Sequence, residues 1–178
     1  MREDVRYILN TEGINPNRTR LVRVSPMPEW LQMVNQNSKA KYCHVNAYSV
    51  LLELKEALGD KYEKFEGDVK YVLGFIANEK VHEHALLKIA DKYYDPTISE
   101  EVSSTIDTYS LVELSLPAVQ SILERTGMVK HGLLLMTLRD CDEFAEYFTA
   151  PTIEDVISEV QKVVDQIDNS SGFSPSVS

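Results

Sequence analysis

The sequence has no apolar run long enough to cross a membrane. Its longest apolar stretches are VLGFIA (72–77) and LLLM (133–136), whereas a spanning helix needs about 20 apolar residues. The first ten residues, MREDVRYILN, are charged and lack the apolar segment of a secretory signal peptide. We therefore expect a cytoplasmic protein without a membrane partner.

Basic residues are scarce as well. The chain carries 18 Lys and Arg against 28 Asp and Glu, a formal net charge of −10. Such a surface repels polyphosphate, so the sequence predicts no direct binding to nucleic acid. An acidic surface can instead imitate nucleic acid toward a basic protein, and that alternative stays open.

Cysteine is also rare, since only Cys43 and Cys141 are present. Two cysteines do not make a disulfide framework, which favours free thiols in a reducing compartment. The sequence lacks the closely spaced cysteine and histidine pairs of structural zinc sites. It implies no cofactor and no resident metal.

What the chain does contain is enough apolar sequence for one folded domain. It has 178 residues, 43% of them hydrophobic, which suits one full core and is too short for two comfortable domains. We expect a single domain over residues 1–168. Residues 169–178 have the polar composition of a disordered tail.

Segments rich in β-forming residues predict a largely antiparallel sheet. Residues 68–78 and 81–91, separated by Asn-Glu-Lys, have the pattern of a hairpin, and residues 92–97 continue it as far as Pro96. Other strand-like segments are residues 21–26, 110–115 (strand or helix) and 129–140 (a buried strand).

Helical patterns flank these segments. Apolar residues recur at helical spacing from Asn46 to Leu58, where Gly59 ends the run, and residues 60–68 resemble a charged loop. Further helix starts are predicted near Glu29, at Ser115 with Pro117, at Asp140 with Glu143, and at Thr152. The fold class is therefore α+β, with helices beside an antiparallel sheet and extra helices at the C-terminus.

Cys43 lies in KYCHVNAYSV, directly before the first long helical pattern. Such a position lowers the pKa of a thiol, because the free backbone N–H groups and the helix dipole favour negative charge. A thiolate nucleophile also needs a histidine that exchanges its proton, and a third group that fixes the histidine tautomer.

His84 and Asp95 are the candidates for those two roles. His84 lies mid-strand in VHEHALLKI, and Asp95 follows eleven residues later in YYDPT. Adjacent antiparallel strands joined by a tight turn bring positions so spaced side by side. The sequence therefore predicts a triad with Cys43 as nucleophile, His84 as general base and acid, and Asp95 as the group that orients His84.

Three short motifs resemble the transglutaminase-like branch of the papain-like cysteine enzymes. HALLKIADKYYDPT (84–97) is similar to that family's histidine and aspartate strands, and YVLGF (71–75) to the strand before them. CHVNA (43–47) is similar to the cysteine-helix start of small bacterial and phage proteins with the same elements. The resemblance covers residues 36–98, about a third of the chain, and departs from the family at Leu86, where Trp is common.

The resemblance implies a papain-like core and acyl transfer from an amide, through a thioester on Cys43, to water or an amine. The enzyme would be a peptidase, an amidase or deamidase, or a transglutaminase, acting on a protein, a peptide or a small amide. Leu86 leaves the substrate class open, because the family's Trp often shapes the acyl pocket. The alternative is a non-enzymatic acidic binding or inhibitor protein that keeps the fold and, if phage-encoded, acts on a host protein.

The resemblance also implies an oxyanion donor. Papain-like enzymes use the backbone N–H of the cysteine and a side-chain amide upstream of it, for which Gln36 and Asn37 are the candidates. Asn46 has two interpretations, an ordinary polar contact in the first helical turn or a hydrogen bond that supports the loop before Cys43.

The other histidines have simpler interpretations. Consecutive helical residues point in different directions, so His44 is expected to be poorly aimed at the sulfur of Cys43. His82 is expected to be solvated, and Cys141 to be a packing residue. A metal site is the alternative for His82 and His84, which face the same side of one strand, with His44 or Asp95 as a further ligand.

Overall fold

A five-stranded antiparallel sheet is the centre of the fold. The computed structural model describes residues 1–128, 132–148, 157 and 161. Its strands are β1 (Arg20–Val22), β2 (Val69–Ala77), β3 (Val81–Ile89), β4 (Lys92–Tyr94) and β5 (Asp107–Leu114). They lie in the order β1-β5-β2-β3-β4, and every neighbouring pair is antiparallel. The predicted α+β class with an antiparallel sheet is confirmed.

The predicted hairpin is confirmed and forms the middle of the sheet. β2 and β3 pair along their whole length, from Val69 opposite Ile89 to Ala77 opposite Val81. β4 continues the hairpin but pairs only with residues 87–89 of β3. Within the described chain, residues 81–86 of β3 therefore have no strand on their outer side, and this open edge contains His84.

Seven α-helices and three short 3₁₀ helices lie around this sheet in the described part of the chain. The α-helices are α1 (Glu3–Thr11), α2 (Glu29–Val34), α3 (Cys43–Leu58), α4 (Tyr62–Phe65), α5 (Glu100–Ser103), α6 (Leu116–Thr126) and α7 (Leu135–Arg139). The 3₁₀ helices are Pro16–Arg18, Gly59–Lys61 and Asp142–Tyr147. No helix among the described residues is long and apolar enough to span a membrane.

The long helix α3 packs on β3 and β2. Its buried residues are Cys43, Asn46, Ala47, Val50, Leu51 and Leu54. They recur every three or four positions, which places them in one stripe on one side of the helix. Cys43 and Asn46 are the first members of that stripe, so the same packing that buries the leucines turns both side chains toward the sheet.

The predicted helix ends agree with the structure at several points. α2 begins at Glu29 as predicted. α6 begins after Ser115, whose hydroxyl accepts the Ala118 N–H at 3.5 Å, and ends at Gly127, which has a φ of +72°. Residues 110–115, whose pattern fitted either a strand or a helix, lie mostly in strand β5.

Three local predictions are wrong. Residues 60–68 are not simply a loop, since they contain α4. The strand predicted over residues 129–140 is a helix at Leu135–Arg139, while residues 129–131 lie outside the described residues. Asp140 and Glu143 do not open a capped helix, because a 3₁₀ helix starts at Asp142 and Glu143 pairs with Arg125 at 2.7 Å.

Side chains of the sheet explain why the second of these segments is not a strand. The Tyr71 hydroxyl donates to the Leu133 carbonyl at 2.8 Å, and the Leu135 N–H donates to Glu83 Oε1 at 2.7 Å. These bonds satisfy backbone groups that a strand would need for pairing. The helix predicted from Thr152 lies outside the described residues except for Ile157 and Gln161, which are both helical. The boundary at residue 168 and the tail also lie outside them.

Gly74 is the position where the sheet leaves no room for a side chain. The pairing of β2 with β5 shifts between Leu73 and Gly74, which makes a β-bulge. A Cβ atom on Gly74 would lie 1.9 Å from the Tyr109 carbonyl oxygen. Gly74 also lies opposite His84 in the hairpin, so the bulge supports the strand that contains His84.

We expect Gly74→Ala to destabilise the protein by about 3 kcal/mol or more, at the upper end of the cost of overpacking. The matched control is Gly67→Ala, because a Cβ there meets nothing within 4 Å and φ is not in the left-handed region. Chemical denaturation of the two variants beside the unaltered protein measures the difference. Equal free energies of unfolding for the two variants would contradict the close approach at the bulge.

Candidate active site

Cys43 is the first residue of α3. The backbone N–H groups of a first helical turn have no partner within the helix. Among the described residues, Tyr42 before it makes no side-chain hydrogen bond that would cap the helix. The sulfur therefore lies beside free donors at the positive end of a 16-residue helix dipole. Cys43 is only 8% exposed.

His84 and Asp95 form a buried hydrogen bond at the open edge of β3. The Nε2–H of His84 donates to Asp95 Oδ2 at 2.7 Å, and both side chains are at most 5% exposed. The other carboxylate oxygen of Asp95 accepts the backbone N–H groups of Thr97 and Ile98 at 2.8 and 2.9 Å. These two donors fix the carboxylate, and the carboxylate in turn fixes the tautomer and the orientation of the ring.

His44 is aimed at the sulfur, and the prediction that it is poorly aimed is wrong. Its Nδ1 lies 3.4 Å from the Sγ of Cys43, and its Nε2–H donates to Glu83 Oε1 at 3.0 Å. The argument from helical direction fails because Cys43 is the first helical residue. Side chains lean toward the helix N-terminus, and there is no earlier turn to occupy the space beside the sulfur.

The sulfur therefore interacts with two histidines. Burial raises the pKa of the Cys43 thiol, but hydrogen bonds from His44 and then from His84, together with the charges of both rings, lower it to about 6. Of these two hydrogen bonds, the one from His44 lowers the pKa of Cys43 more. At neutral pH the dominant form of Cys43 is the thiolate.

Both imidazoles are correspondingly more basic. Burial lowers the pKa of His44, but the hydrogen bonds to Cys43 and then to Glu83 raise it to about 9. Burial likewise lowers the pKa of His84, while the hydrogen bonds to Asp95 and then to Cys43 raise it to about 9. The site is thus a thiolate beside imidazolium groups, an ion pair suited to nucleophilic attack at neutral pH.

Asn46 supports the loop before Cys43, which is the second of its two interpretations. Its Nδ2 donates to the Lys39 carbonyl at 2.8 Å and to Thr97 Oγ1 at 2.9 Å, while its Oδ1 accepts the Lys39 N–H at 3.0 Å. One side chain therefore joins the loop, the helix start and the turn after Asp95.

Gln36 and Asn37 are exposed in the turn between α2 and α3. Neither side chain has a hydrogen-bond partner among the described residues. Asn37 lines a cleft of about 540 Å³ together with Tyr42 and Asn46. Another amide bound to the turn after Asp95 is that of Asn35, whose Nδ2 donates to the Pro96 carbonyl at 3.0 Å.

The metal alternative has no support in the geometry. Among the described residues, no group of three or more His, Cys, Asp or Glu side chains could hold a metal ion. His82 is exposed, whereas His84 is buried against Asp95. Cys141 is buried, where its S–H donates to the Thr137 carbonyl at 3.3 Å.

Sequence reasoning missed the roles of Glu83 and of residues 132–135. Glu83 accepts from both His44 and the Leu135 N–H. Gly132, with a φ of +70°, packs on His44 so closely that a Cβ would lie 2.5 Å from the His44 carbonyl carbon. The alternation His-Glu-His at residues 82–84 is the only sequence signal for Glu83, and nothing in the sequence places residue 132 on His44.

Comparisons with known protein families, with curated protein sequences and with solved structures find no match to this chain.

We expect iodoacetamide at mildly acidic pH to alkylate Cys43 much faster than Cys141. A lowered pKa means that the thiolate persists down to about pH 6 and is lost only below it, whereas an ordinary thiol is mostly protonated below about pH 8.5. The two thiols are 8% and 7% exposed, so Cys141 is an internal control for access. Peptide mapping by mass spectrometry gives both rates, and equal rates would contradict the thiolate at Cys43.

Proposed function

We propose that the protein is a cysteine-dependent acyl-transfer enzyme of the papain-like, transglutaminase-like type. Cys43 is the nucleophile, His84 the general acid and base, and Asp95 the group that orients His84. The observation that carries the proposal is the Cys43 thiol at a helix N-terminus, whose pKa is lowered by His44 and by the ring of a buried His84–Asp95 pair.

The first half of the reaction follows from these groups. The thiolate attacks an amide carbonyl carbon and forms a C–S bond, and the negative charge moves to the carbonyl oxygen. The backbone N–H of Cys43, in the first turn of α3, is the proposed donor to that oxygen. The C–N bond then breaks, the leaving amine takes the proton of the His84 imidazolium, and a thioester remains on Cys43.

The second half restores the resting state. Water or an amine attacks the thioester, loses a proton to an imidazole, and the C–S bond breaks to return the thiolate. Water as the acceptor gives a peptidase, an amidase or a deamidase, and an amine gives a transglutaminase. Substrates of the proposed enzyme are therefore proteins, peptides or small amides.

The resemblance of the three motifs to the transglutaminase-like family is consistent with this proposal. The Asp-Pro-Thr motif performs a structural task as well, since Thr97 donates its N–H to Asp95 and accepts from Asn46. A non-enzymatic binding protein would need neither a tautomer-fixing carboxylate nor a lowered thiol pKa. The polar contacts around Cys43 therefore favour the enzyme over that alternative.

We expect Asp95→Asn to leave the protein folded and nearly inactive. The Thr97 and Ile98 N–H groups continue to need an acceptor, so the amide oxygen stays at the Oδ1 position and the NH₂ group faces His84 Nε2. His84 must then accept at Nε2 and turn an N–H toward the sulfur, which prevents it from taking a proton there. In a serine-protease triad the same change lowers kcat by about 10⁴-fold.

The measurement is turnover of an acyl p-nitroanilide, whose amine leaving group needs the proton of His84, with circular dichroism as the check of folding. Cys43→Ala should abolish turnover, while two matched controls should retain it: Cys141→Ala, and Asp91→Asn in the exposed turn between β3 and β4. Full activity in a folded Cys43→Ala or Asp95→Asn protein would contradict the proposed enzyme and favour the binding-protein alternative.

A further inference from the structure

A second histidine–carboxylate pair, His44 with Glu83, lies beside the sulfur of Cys43. The ring of His44 joins Cys43 Sγ to Glu83 Oε1, while the ring of His84 is bonded to Asp95 and also lowers the pKa of the Cys43 thiol. In each ring Nε2 is held by a carboxylate, and in His44 the nitrogen that faces the sulfur is Nδ1. The triad uses only one of these two pairs.

The two pairs differ in their access to solvent. The side chains of His84 and Asp95 are 5% and 2% exposed, whereas those of His44 and Glu83 are 16% and 29% exposed. A water molecule or an amine that approaches a thioester on Cys43 from solvent therefore meets His44 more readily than His84.

The pairs also differ in what holds their protons. The strongest interaction that keeps His44 protonated is its hydrogen bond to Cys43, whereas for His84 it is the hydrogen bond to Asp95. When Cys43 becomes a thioester, its sulfur loses the negative charge. His44 then loses the interaction that raised its pKa most, and it releases its proton more easily than His84 does.

We infer that His44, held by Glu83, is a second catalytic residue that takes the proton of the nucleophile entering from solvent to cleave the thioester. This inference rests on the proposed acyl-transfer function and divides its two halves between two histidines. His84 acts on the leaving group in the first half, and His44 acts on the acceptor in the second.

The step balances in atoms and charge. His44 first releases its proton to solvent, and its Nδ1 then accepts a proton from the entering water as the water oxygen bonds to the acyl carbon. The C–S bond breaks, the acid leaves, and the thiolate returns beside a protonated His44, while His84 takes back from solvent the proton that His44 released. The resting ion pair is thereby restored.

Two contacts keep His44 in position for this role. Glu83 is itself fixed by the Leu135 N–H at 2.7 Å, and Gly132 packs against the His44 backbone. Among the described residues, Tyr71 is a further titratable group at this corner. Burial, followed by the charges of Cys43 and Glu83, keeps the pKa of Tyr71 well above its usual value, so it stays a neutral donor to Leu133.

The test separates the two halves by pre-steady-state kinetics with p-nitrophenyl acetate. Release of p-nitrophenolate in the burst reports formation of the thioester, and the later steady rate reports its hydrolysis. At a pH where Cys43 is ionised in every protein compared, His44→Asn should keep the burst rate and lower the steady rate by about 100-fold, a typical contribution of a general base. His84→Asn should not show this split.

His82→Asn is the matched control, because it makes the same change at an exposed histidine of β3 and should alter neither phase. Glu83→Gln is the second variant, since its amide oxygen can still accept the Leu135 N–H. It should slow the steady rate in the same direction as His44→Asn, even if His44→Asn fails to fold.

Each outcome has a distinct meaning. An unaltered protein that neither turns over p-nitrophenyl acetate nor becomes acetylated on Cys43 would overturn both the acyl-transfer function and the role of His44. A burst with an unchanged steady rate in both His44→Asn and Glu83→Gln would overturn only the role of His44. An equal fall of both phases in His44→Asn would also overturn it, because His44 would then serve acylation as His84 does.

Discussion

A negative charge on a mostly buried sulfur is the constraint on which this site depends. Removing an ion from water costs on the order of several kcal/mol even after the protein relaxes, and Cys43 is only 8% exposed. The charge is stabilised by two imidazole rings, and the sulfur lies at the N-terminus of α3, where the helix dipole favours negative charge. Each ring carries a carboxylate behind it, so the positive charges are themselves paired.

The fold brings these groups together through the unfinished edge of the sheet. Because β4 pairs only with the last residues of β3, the chain after β4 is free to turn and place Asp95 against His84. The loop before Cys43 is tied to that same turn, since Asn46 bonds Thr97 and Ser38 bonds the Pro96 carbonyl at 2.7 Å. A change in the turn therefore reaches both the nucleophile and its acid–base partner.

Much of this arrangement could be predicted from the sequence because it depends on local patterns. Hydrophobic periodicity placed α3, β-forming runs placed the hairpin, and the eleven-residue spacing placed Asp95 beside His84. The pairing of His44 with Glu83 could not be predicted in this way. It depends on how the start of α3 sits over β3, a distance of 39 positions along the chain, and general rules of helical direction argued against it.

The strand predicted after α6 was wrong for a related reason. An apolar run such as LLLM fits a strand or a buried helix equally well by pattern alone. Its structure was decided by long-range hydrogen bonds from Tyr71 and Glu83. The same bonds place Gly132 on His44, so the part of the chain least readable from sequence is the part that completes the site.

The most direct measurement is an ultraviolet absorbance titration of the thiolate in a Cys141→Ala protein, which leaves Cys43 as the only thiol. The charged sulfur described above predicts a midpoint at about pH 6. A Cys43→Ala, Cys141→Ala protein supplies the baseline for tyrosine absorbance. A midpoint near pH 8.5, the ordinary value for a cysteine thiol, would contradict the ion pair and with it the nucleophile.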